Sequence, residues 1–235
     1  MATSRIYEPL VECLNRSGIS RWGIADLRGV HPASGMYPRA LSLALAYAYP
    51  RQAYDEAEFH GTLVQKGREL AAIIERIATF LKAYGVPHEL VPQSQQDEAT
   101  LLSTFPHKTA ATLSGMGWIG KNCLLITPEF GPRVRLGTIL LDADIPCGVP
   151  VTESRCGACR ACVDACPYGY ITGAMWHPGV SRATLLSPFE CSRKRGEFTF
   201  SLGHKHACGL CLLRCPVGAD ATVEQAPKAR MTGGG

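Results

Sequence analysis

Apolar and polar positions alternate with two different periods along the first 150 residues. The segment SRIYEPLVECLNRS, residues 4–17, places apolar residues three or four apart and stops at Gly18, which predicts a helix, and RWGIADL after it predicts a short strand. The run ALSLALAYAY, from Ala40 to Tyr49, ends at Pro50 and is too apolar for a sheet face in water. We expect it to be a central strand that is covered on both sides.

The longest helical pattern runs from Asp55 to Tyr84 and is closed by Gly85 and Pro87. Its apolar residues fall on one broad face: Phe59, Leu63, Leu70, Ile73, Ile74, Ile77 and Leu81. Beyond it, PHELVP predicts a strand and QSQQDEAT a polar loop. HKTAATLSG predicts a helix that Gly115 ends, and CLLIT and RLGTILLD predict two further strands.

Strands and helices mixed at this spacing predict an α/β layer domain over residues 1–150, so the expected fold class is α/β or α+β. Pro146, Gly148 and Pro150 mark a linker. Beyond them large aliphatic residues become rare while cysteine becomes frequent. About 75 residues of that composition do not form a core alone, so we expect a covalent or metallic substitute for one.

Composition narrows the class of protein. The chain has 235 residues, of which 46% are hydrophobic and 19% are charged, and this balance indicates a globular protein. Its formal net charge of +4 is mild and permits an acidic partner without arguing for one. The densest basic patch, RKRG at residues 193–196, is more typical of a solvated loop or the rim of an electron-transfer surface than of a nucleic-acid contact.

No apolar run approaches the roughly 18 residues needed to cross a bilayer, and MATSRIYEPL has polar and acidic residues where a secretory signal has its apolar core. We therefore expect a soluble cytoplasmic protein without a membrane partner. The 11 cysteines, odd in number and clustered, argue against a disulfide framework. Eight lie between Cys156 and Cys215. Cys13 and Cys123 are expected to pack as small hydrophobic residues, and Cys147 lies in the linker.

The eight clustered cysteines have the spacing of a bacterial ferredoxin. CGACRACVDACP, residues 156–167, contains Cys-x2-Cys-x2-Cys-x3-Cys-Pro, and CGLCLLRCP, residues 208–216, is a shortened second copy with Cys191 upstream of it. Each 4Fe-4S cluster takes four thiolates, and in two-cluster ferredoxins the Cys before Pro ligates the cluster of the other motif. One predicted ligand set is Cys156, Cys159, Cys162 and Cys215. The other is Cys166, Cys191, Cys208 and Cys211.

Two alternatives are less consistent with this spacing. A zinc site requires two Cys-x2-Cys pairs. It does not account for Cys162 or for the Cys-Pro sequence that ends both motifs. His204 and His206 precede Cys208 and are also candidate metal ligands. Because eight thiols already suffice for two clusters, we expect both histidines to be loop residues or residues that contact the ligands without binding the metal.

The stretch SGMGWIGKN, residues 114–122, is similar to two nucleotide-binding motifs but fits the context of neither. Gly115, Gly120 and Lys121 have the spacing of a phosphate-binding loop, but Asn122 stands where that loop has the Ser or Thr that holds Mg²⁺. With Gly117, the glycines also fit Gly-x-Gly-x-x-Gly. Both motifs follow a strand and open a helix, whereas here the helix comes first, so we do not expect nucleotide binding.

The segment GWIGKNCLLITPEFGPRVRLGTILLDADIP, which continues into CGACRACVDACP, together with FECSRKR and CGLCLLRCP, resembles the epoxyqueuosine reductase family and, more distantly, reductive dehalogenases. The resemblance implies a nitroreductase-like (flavin-reductase-like) α/β domain over residues 1–150 that binds cobalamin, a ferredoxin-like double 4Fe-4S domain over 151–222 and a tail over 223–235. It also implies that the clusters pass electrons to cobalt. The residues expected to contact the cofactor are Gly115, Gly117, Trp118, Gly120, Lys121 and Asn122.

Two departures from the family pattern bear on activity. Family members carry an Asp-x-x-Pro-x-x-Glu-like stretch before the glycine turn, whose Asp is the proposed proton donor, whereas Leu101, Ser103 and His107 stand at that distance here. His107 and Lys108 are therefore the candidate catalytic acids. The larger members also continue into a helical-repeat region involved in tRNA handling, which we do not find in this sequence, so a role with tRNA is in doubt.

These observations predict a cytoplasmic iron-sulfur oxidoreductase in which two clusters feed a cofactor, a corrinoid, for the reduction of a small or nucleoside-like substrate. The alternative is a non-catalytic electron-transfer protein, or a reductive activator of a separate corrinoid or flavin protein, and the missing carboxylate favours it. A flavin in the α/β domain is a third interpretation. The expected electron donor is a reduced ferredoxin or flavodoxin.

Overall fold

The computed structural model of the chain describes residues 5–50, 54–92, 97, 99–103, 105–199 and 208–221, and of residues 197–199 it describes the backbone alone. His204, His206 and the tail over 223–235 lie outside the described residues. The helices are α1 (Tyr7–Arg16), α2 (Glu56–Ala83), α3 (His107–Leu113), α4 (Ala161–Asp164), α5 (Arg182–Leu185), α6 (Pro188–Thr199) and α7 (Leu210–Leu213). The strands are β1 (Arg21–Asp26), β2 (Arg39–Ala46), β3 (His88–Leu90), β4 (Trp118–Ile119), β5 (Leu125–Ile126) and β6 (Val134–Leu141). Within these ranges no helix is both long and apolar enough to cross a membrane.

Four strands form the main sheet in the order β1-β2-β6-β3, and every neighbouring pair is antiparallel. Because β2 and β3 are both antiparallel to β6, they run parallel to each other, and α2 connects them. This is a split β-α-β unit with β6 inserted between its two strands. The mixed helix and strand content predicted from the sequence is confirmed, and the antiparallel pairing makes the layer α+β.

The central strand β2 is buried along all eight of its residues because both faces of the sheet are covered. Its large side chains, Leu41 and Leu43, belong to the core formed with α1 and α2. The small residues Ala40 and Ala44 alternate with them and pack on the opposite face, where α3 contacts the sheet. The predicted central strand is confirmed, and the alternation of large and small side chains explains why it is apolar throughout.

Helix α2 covers the same face of the sheet as α1. Asp55 caps its first turn by accepting a hydrogen bond of 2.9 Å from the amide of Glu58, and its 28 residues extend about 42 Å. Its buried face consists of the seven predicted apolar residues and Ala78. Gly85 follows the helix with φ of +66°. Both predicted ends of this helix are therefore confirmed.

The stretch CLLIT is shorter as a strand than its sequence predicts. Only β5 is extended, and it pairs with β4 in a two-stranded sheet separate from the main one. The turn between them contains Cys123, whose φ of +58° interrupts the extended chain. The predicted helix before Gly115 is present as α3, and RLGTILLD and PHELVP form β6 and β3.

The cysteine-rich residues from 151 onward pack on the α3 side of the sheet. Ile171, Leu185 and Leu186 share an apolar cluster with Ala111 and Met116 of the layer. The cysteine-rich part therefore shares a core with the α/β part and is held against it. A division into domains at residue 150 stays a prediction.

Candidate metal centre

Three cysteines of the first motif lie around one turn of chain and meet a fourth cysteine from the second motif. The amide of Cys159 donates a hydrogen bond of 3.0 Å to the carbonyl of Cys156, which closes the turn. Burial, followed by the charges of Cys156, Cys215 and Cys159, raises the pKa of Cys162 to about 11. Cys215, from the second motif, packs with Cys156 in one small cluster around Trp118, so the second motif meets the first at this turn.

The other four motif cysteines line a single cavity of about 280 Å³: Cys166, Cys191, Cys208 and Cys211. They come from three segments, since Cys166 follows α4, Cys191 lies on α6, and the remaining two lie at α7. Burial, followed by the charges of Cys208, Cys191, Cys162 and Cys166, raises the pKa of Cys211 to about 12. The two groups of thiols are therefore neighbours, and each includes one cysteine from the other group's motif.

No two of the 11 cysteines form a disulfide, and all 11 lie in the part of the chain that the structure describes. Burial also raises the pKa of Cys191, Cys208 and Cys215, so these groups retain their protons at neutral pH unless a cation replaces them. In the part of the chain that the structure describes, no three His, Cys, Asp or Glu side chains converge on a point suited to one metal ion. An iron-sulfur cube distributes four thiolates over four irons instead.

Side chains of the α/β part donate hydrogen bonds to carbonyl groups in both cysteine loops. Lys121 is a buried residue, 6% exposed, and its ammonium lies 2.8 Å from the carbonyl oxygen of Gly157 and 2.9 Å from that of Cys159. The Asn122 side-chain amide donates to the carbonyl of Cys211 at 3.4 Å. Adjacent residues of one turn therefore contact the two groups of cysteines separately.

Two further side chains make the same kind of contact from other elements. The Tyr54 hydroxyl, just before α2, donates to the carbonyl of Cys208. Arg133, just before β6, donates to the carbonyl of Cys215 at 3.3 Å and also to that of Val217. Because the layer satisfies these carbonyls, it fixes the orientation of the loops that carry the thiols. Sequence reasoning missed both residues, since neither belongs to a motif.

The glycines of the stretch 114–122 are required by close approach of backbone segments. Gly115 ends α3 with φ of +77°. A Cβ atom on Gly117 would lie 2.1 Å from the carbonyl oxygen of Ile126, so the β4–β5 hairpin requires glycine there. Packing inside the protein thus explains these two glycines without a ligand.

The cofactor contacts predicted for this stretch stay a prediction for Gly115, Gly117, Trp118, Gly120, Lys121 and Asn122. Trp118 packs in a small apolar cluster that contains Cys215 and, partly buried, Cys156. Asn122 lines the cysteine cavity. The stretch therefore lies against both groups of cysteines.

The two candidate acids point to different places. His107 directs Nδ1 to the Thr138 hydroxyl at 2.8 Å and Nε2 to the Pro92 carbonyl at 3.4 Å, and burial lowers its pKa. Lys108 lines the cysteine cavity, with its ammonium 2.6 Å from the carbonyl oxygen of Cys123. Burial lowers the pKa of Lys108 as well. Of this pair, only Lys108 lines the cysteine cavity, and the catalytic role of either stays a prediction.

Sequence reasoning also missed two residues on the cavity wall. Arg182 lines the cavity and donates a hydrogen bond of 2.9 Å to the carbonyl of Leu101. Cys123 lines it too, and its sulfur lies 3.8 Å from the Lys108 ammonium. Arg182 belongs to no motif, whereas the position of Cys123 directly after Asn122 is a signal for its location.

Comparison with known proteins agrees with this picture. A family model described as a 4Fe-4S binding domain matches residues 149–172. An epoxyqueuosine reductase from Bacillus cereus is 30% identical over 203 residues, which cover 77% of this chain and 49% of that protein. This chain is similar to the epoxyqueuosine reductases. It spans about half the length of the curated Bacillus relatives that it matches.

Solved structures share the fold at low sequence identity. An epoxyqueuosine reductase with an epoxyqueuosine-modified tRNA-Tyr stem loop has a TM-score of 0.59 and 19% identity, covering 96% of this chain and 71% of that one. A reductive dehalogenase, whose structure suggests a mechanism for B12-dependent dehalogenation, has a TM-score of 0.62 and 18% identity, covering 85% of this chain and 30% of that one. The overall fold is shared with both classes of protein, while the nitroreductase-like description of the α/β part stays a prediction.

Proposed function

We propose that this chain is a cytoplasmic iron-sulfur oxidoreductase of the epoxyqueuosine reductase kind, which transfers electrons through two 4Fe-4S clusters. One cluster is held by Cys156, Cys159, Cys162 and Cys215, and the other by Cys166, Cys191, Cys208 and Cys211. The observation that supports this most strongly is that the second set, drawn from three segments of chain, lines one cavity. The 4Fe-4S family model over residues 149–172 supports the first motif independently.

The cavity suits an iron-sulfur cube. Four thiols surround about 280 Å³, and burial raises the pKa of Cys208 and Cys211, so their thiolates form most readily when iron takes the place of the protons. Pockets for drug-sized ligands measure roughly 300–1,000 Å³, and a corrin ring lies at the large end of such ligands. The cavity therefore has room for a cube of iron and sulfur.

The contacts between the α/β part and the cysteine loops would serve both clusters. Lys121 and Arg133 hold the loops of the first set, and Asn122 and Tyr54 hold those of the second. These contacts would fix the orientation of the loops and so the surroundings of each cluster, which tune its potential. Since Cys162 of the first set and Cys166 of the second lie four residues apart at α4, electrons would need to travel only a short distance between clusters.

We extend the proposal to a corrinoid as the acceptor of these electrons, bound outside the cysteine cavity on the nitroreductase-like part, with a flavin as the alternative. The support is the fold shared with a reductive dehalogenase whose structure suggests a mechanism for B12-dependent dehalogenation. A bound corrinoid supplies a low-valent cobalt centre that acts as a nucleophile or reductant. Anaerobic addition of cobalamin should change its absorption and EPR spectra. Unchanged spectra would remove the corrinoid, and a yellow colour that survives cluster removal would indicate a flavin.

We propose a small or nucleoside-like substrate. This class includes a modified nucleoside within a tRNA. A solved structure of this fold contains an epoxyqueuosine-modified tRNA stem loop, which weakens the doubt about tRNA drawn from the sequence. The proposed electron donor is a reduced ferredoxin or flavodoxin. Loss of the epoxide from such a stem loop, followed by mass spectrometry and compared with the free nucleoside, would distinguish the two forms of substrate.

A non-catalytic electron carrier, or a reductive activator of a separate corrinoid or flavin protein, is the second candidate. Leu101, Ser103 and His107 stand at the distance where the resemblance places a catalytic carboxylate, and none of them carries a carboxyl group. Leu101 is buried, and Arg182 donates to its carbonyl. Rapid reduction of a separate corrinoid or flavin protein, without turnover of any epoxide substrate, would favour this candidate.

A double substitution within one motif tests the proposed ligand sets. Cys208 and Cys215 lie in the same motif but belong to different clusters in the proposal, so Cys208→Ser with Cys215→Ser should disrupt both clusters. If each motif instead kept its own cluster, the double variant would retain one of them intact. Cys147→Ser, outside both sets, is the matched control and should retain both clusters by iron content and EPR.

A further inference from the structure

We propose that Lys108, Arg182 and Arg195 form a cationic wall that faces the second cluster and raises its reduction potential. The inference rests on the proposed function, because it requires a cluster bound by the four cysteines that line the cavity. The step concerned is the transfer of one electron from an external donor into that cluster. No bond to the protein forms or breaks in this step.

Lys108 is held on the cavity wall by backbone. Its ammonium donates to the carbonyl of Cys123 at 2.6 Å and lies 3.8 Å from the sulfur of the same residue. Cys123 is buried and lines the cavity together with Lys108. Among the ion pairs of the described residues, none joins Lys108 to a carboxylate. The charge of Lys108 therefore lies on the wall of the cavity that the four cysteines line, and no ion pair of the described residues neutralises it.

The two arginines reach the same cavity from α5 and α6. Arg182 is fixed by its hydrogen bond to the carbonyl of Leu101, and its charge acts on both Lys108 and Cys191. Arg195 lies one helical turn after Cys191 and acts on the same thiol. Like charges held this close repel one another, and an anion bound between them offsets that repulsion.

A cluster bound by four thiolates is such an anion, and reduction adds one more negative charge. Every charged side chain on the cavity wall, as far as the described residues form it, is basic: Lys108, Arg182, Lys194 and Arg195. Cations in a partly desolvated site stabilise the reduced cluster more than the oxidised one. Their net effect is therefore a higher reduction potential.

One acid, Glu56, acts on the same group of cysteines with the opposite sign. The charge of Glu56, at the start of α2, acts on Cys208, and its Oε1 atom is buried without a hydrogen-bond partner in the described structure. A carboxylate there disfavours the added electron. Removing the charge of Glu56 and removing that of Lys108 should thus shift the same potential in opposite directions.

An anaerobic redox titration followed by EPR tests this inference, with iron and sulfide counted in every variant. Lys108→Met should lower one of the two midpoint potentials by about 59 mV, which is a tenfold change in the one-electron equilibrium. Arg182→Gln and Arg195→Met should lower the same potential, Glu56→Gln should raise it, and Lys108→Arg should restore it. Lys82→Met is the control, because Lys82 is exposed and lies about 39 Å along α2 from Glu56.

The outcomes separate the inference from the proposed function. A wild-type protein without 4Fe-4S clusters would contradict the proposed function, and the inference about the cationic wall would fall with it. Intact clusters with unmoved potentials in Lys108→Met and Arg182→Gln would overturn the inference alone, as would equal shifts in Lys82→Met. If Lys108→Met fails to hold its clusters, the opposite signs expected for Arg195→Met and Glu56→Gln decide the question.

Discussion

The Lys121 ammonium donates a hydrogen bond of 2.9 Å to the carbonyl oxygen of Cys159. In the sequence this lysine follows glycines with the spacing of a phosphate-binding loop, whereas in the structure it is buried between the α/β part and the first cysteine loop. Its second contact, to the carbonyl of Gly157, lies in the same loop. The lysine therefore holds a turn that carries thiols.

Substitution of Lys121 should loosen the first cysteine loop selectively. Lys121→Met leaves two carbonyls without their donor and should lower the free energy of unfolding by about 1–3 kcal/mol. Iron should leave one of the two clusters faster, as measured by transfer to a chelator, while the other cluster remains. A rise in the Tm of the wild-type protein with added ATP would instead support a phosphate site and contradict this role.

The loop that carries Cys215 depends on a glycine in the layer. Gly131 has φ of +57°, and a Cβ atom there would lie 2.0 Å from the carbonyl oxygen of Val217. Gly131→Ala should destabilise the protein by about 1–3 kcal/mol and displace the segment after Cys215. Gly29→Ala is the matched control, because Gly29 also has positive φ, +72°, but nothing lies within 4 Å of its added atom. Equal losses of Tm in the two variants would show that backbone strain alone is responsible.

The Tyr54 hydroxyl should matter for the second cluster only. Tyr54→Phe removes the hydrogen bond to the carbonyl of Cys208 and should cost about 0.5–1.5 kcal/mol of stability. The EPR signal of the second cluster should broaden or decay faster in air, while that of the first stays unchanged. Tyr84→Phe serves as the control, since Tyr84 is exposed at the end of α2. A loss confined to the first cluster would contradict the assigned contacts.

Thiol reactivity should reveal the two groups of cysteines. In cluster-loaded protein, alkylation should reach Cys13 and Cys147 and spare the eight proposed ligands. In cluster-free protein, the raised pKa of Cys162, about 11, and of Cys211, about 12, means that little thiolate exists at pH 8. Their alkylation rates, read by mass spectrometry, should rise about tenfold per pH unit in that range. Fast, pH-independent labelling of Cys211 would contradict the buried cavity.

The long elements of the fold could be predicted because their local patterns and their packing agree. Helix α2 has a broad apolar face, a capping Asp55 and a closing Gly85, and β2 is a short apolar run bounded by Pro50. The hairpin β4–β5 could not be predicted. The pattern of CLLIT is that of a strand, but a turn interrupts it at Cys123, and the five residues of CLLIT do not signal that turn. The spacing of the cysteines anticipates which thiols the structure brings together, although their binding of iron stays a prediction.

The rest of the site arises from contacts between residues far apart in the chain. Tyr54 meets Cys208, and Arg182 meets Leu101, across long separations in sequence. No local pattern marks such residues, because their position depends on how α2, α3 and the cysteine loops pack. His107 illustrates the converse, since it stands beside Lys108 in sequence but turns towards Thr138 and away from the cavity.

Iron and acid-labile sulfide per chain, measured on anaerobically purified or reconstituted protein, test the central claim most directly. Two cubes of four irons and four sulfides predict about eight of each, with the EPR spectrum of two interacting clusters after reduction. Close to zero iron after careful reconstitution, or a single bound zinc ion in place of iron, would contradict the account.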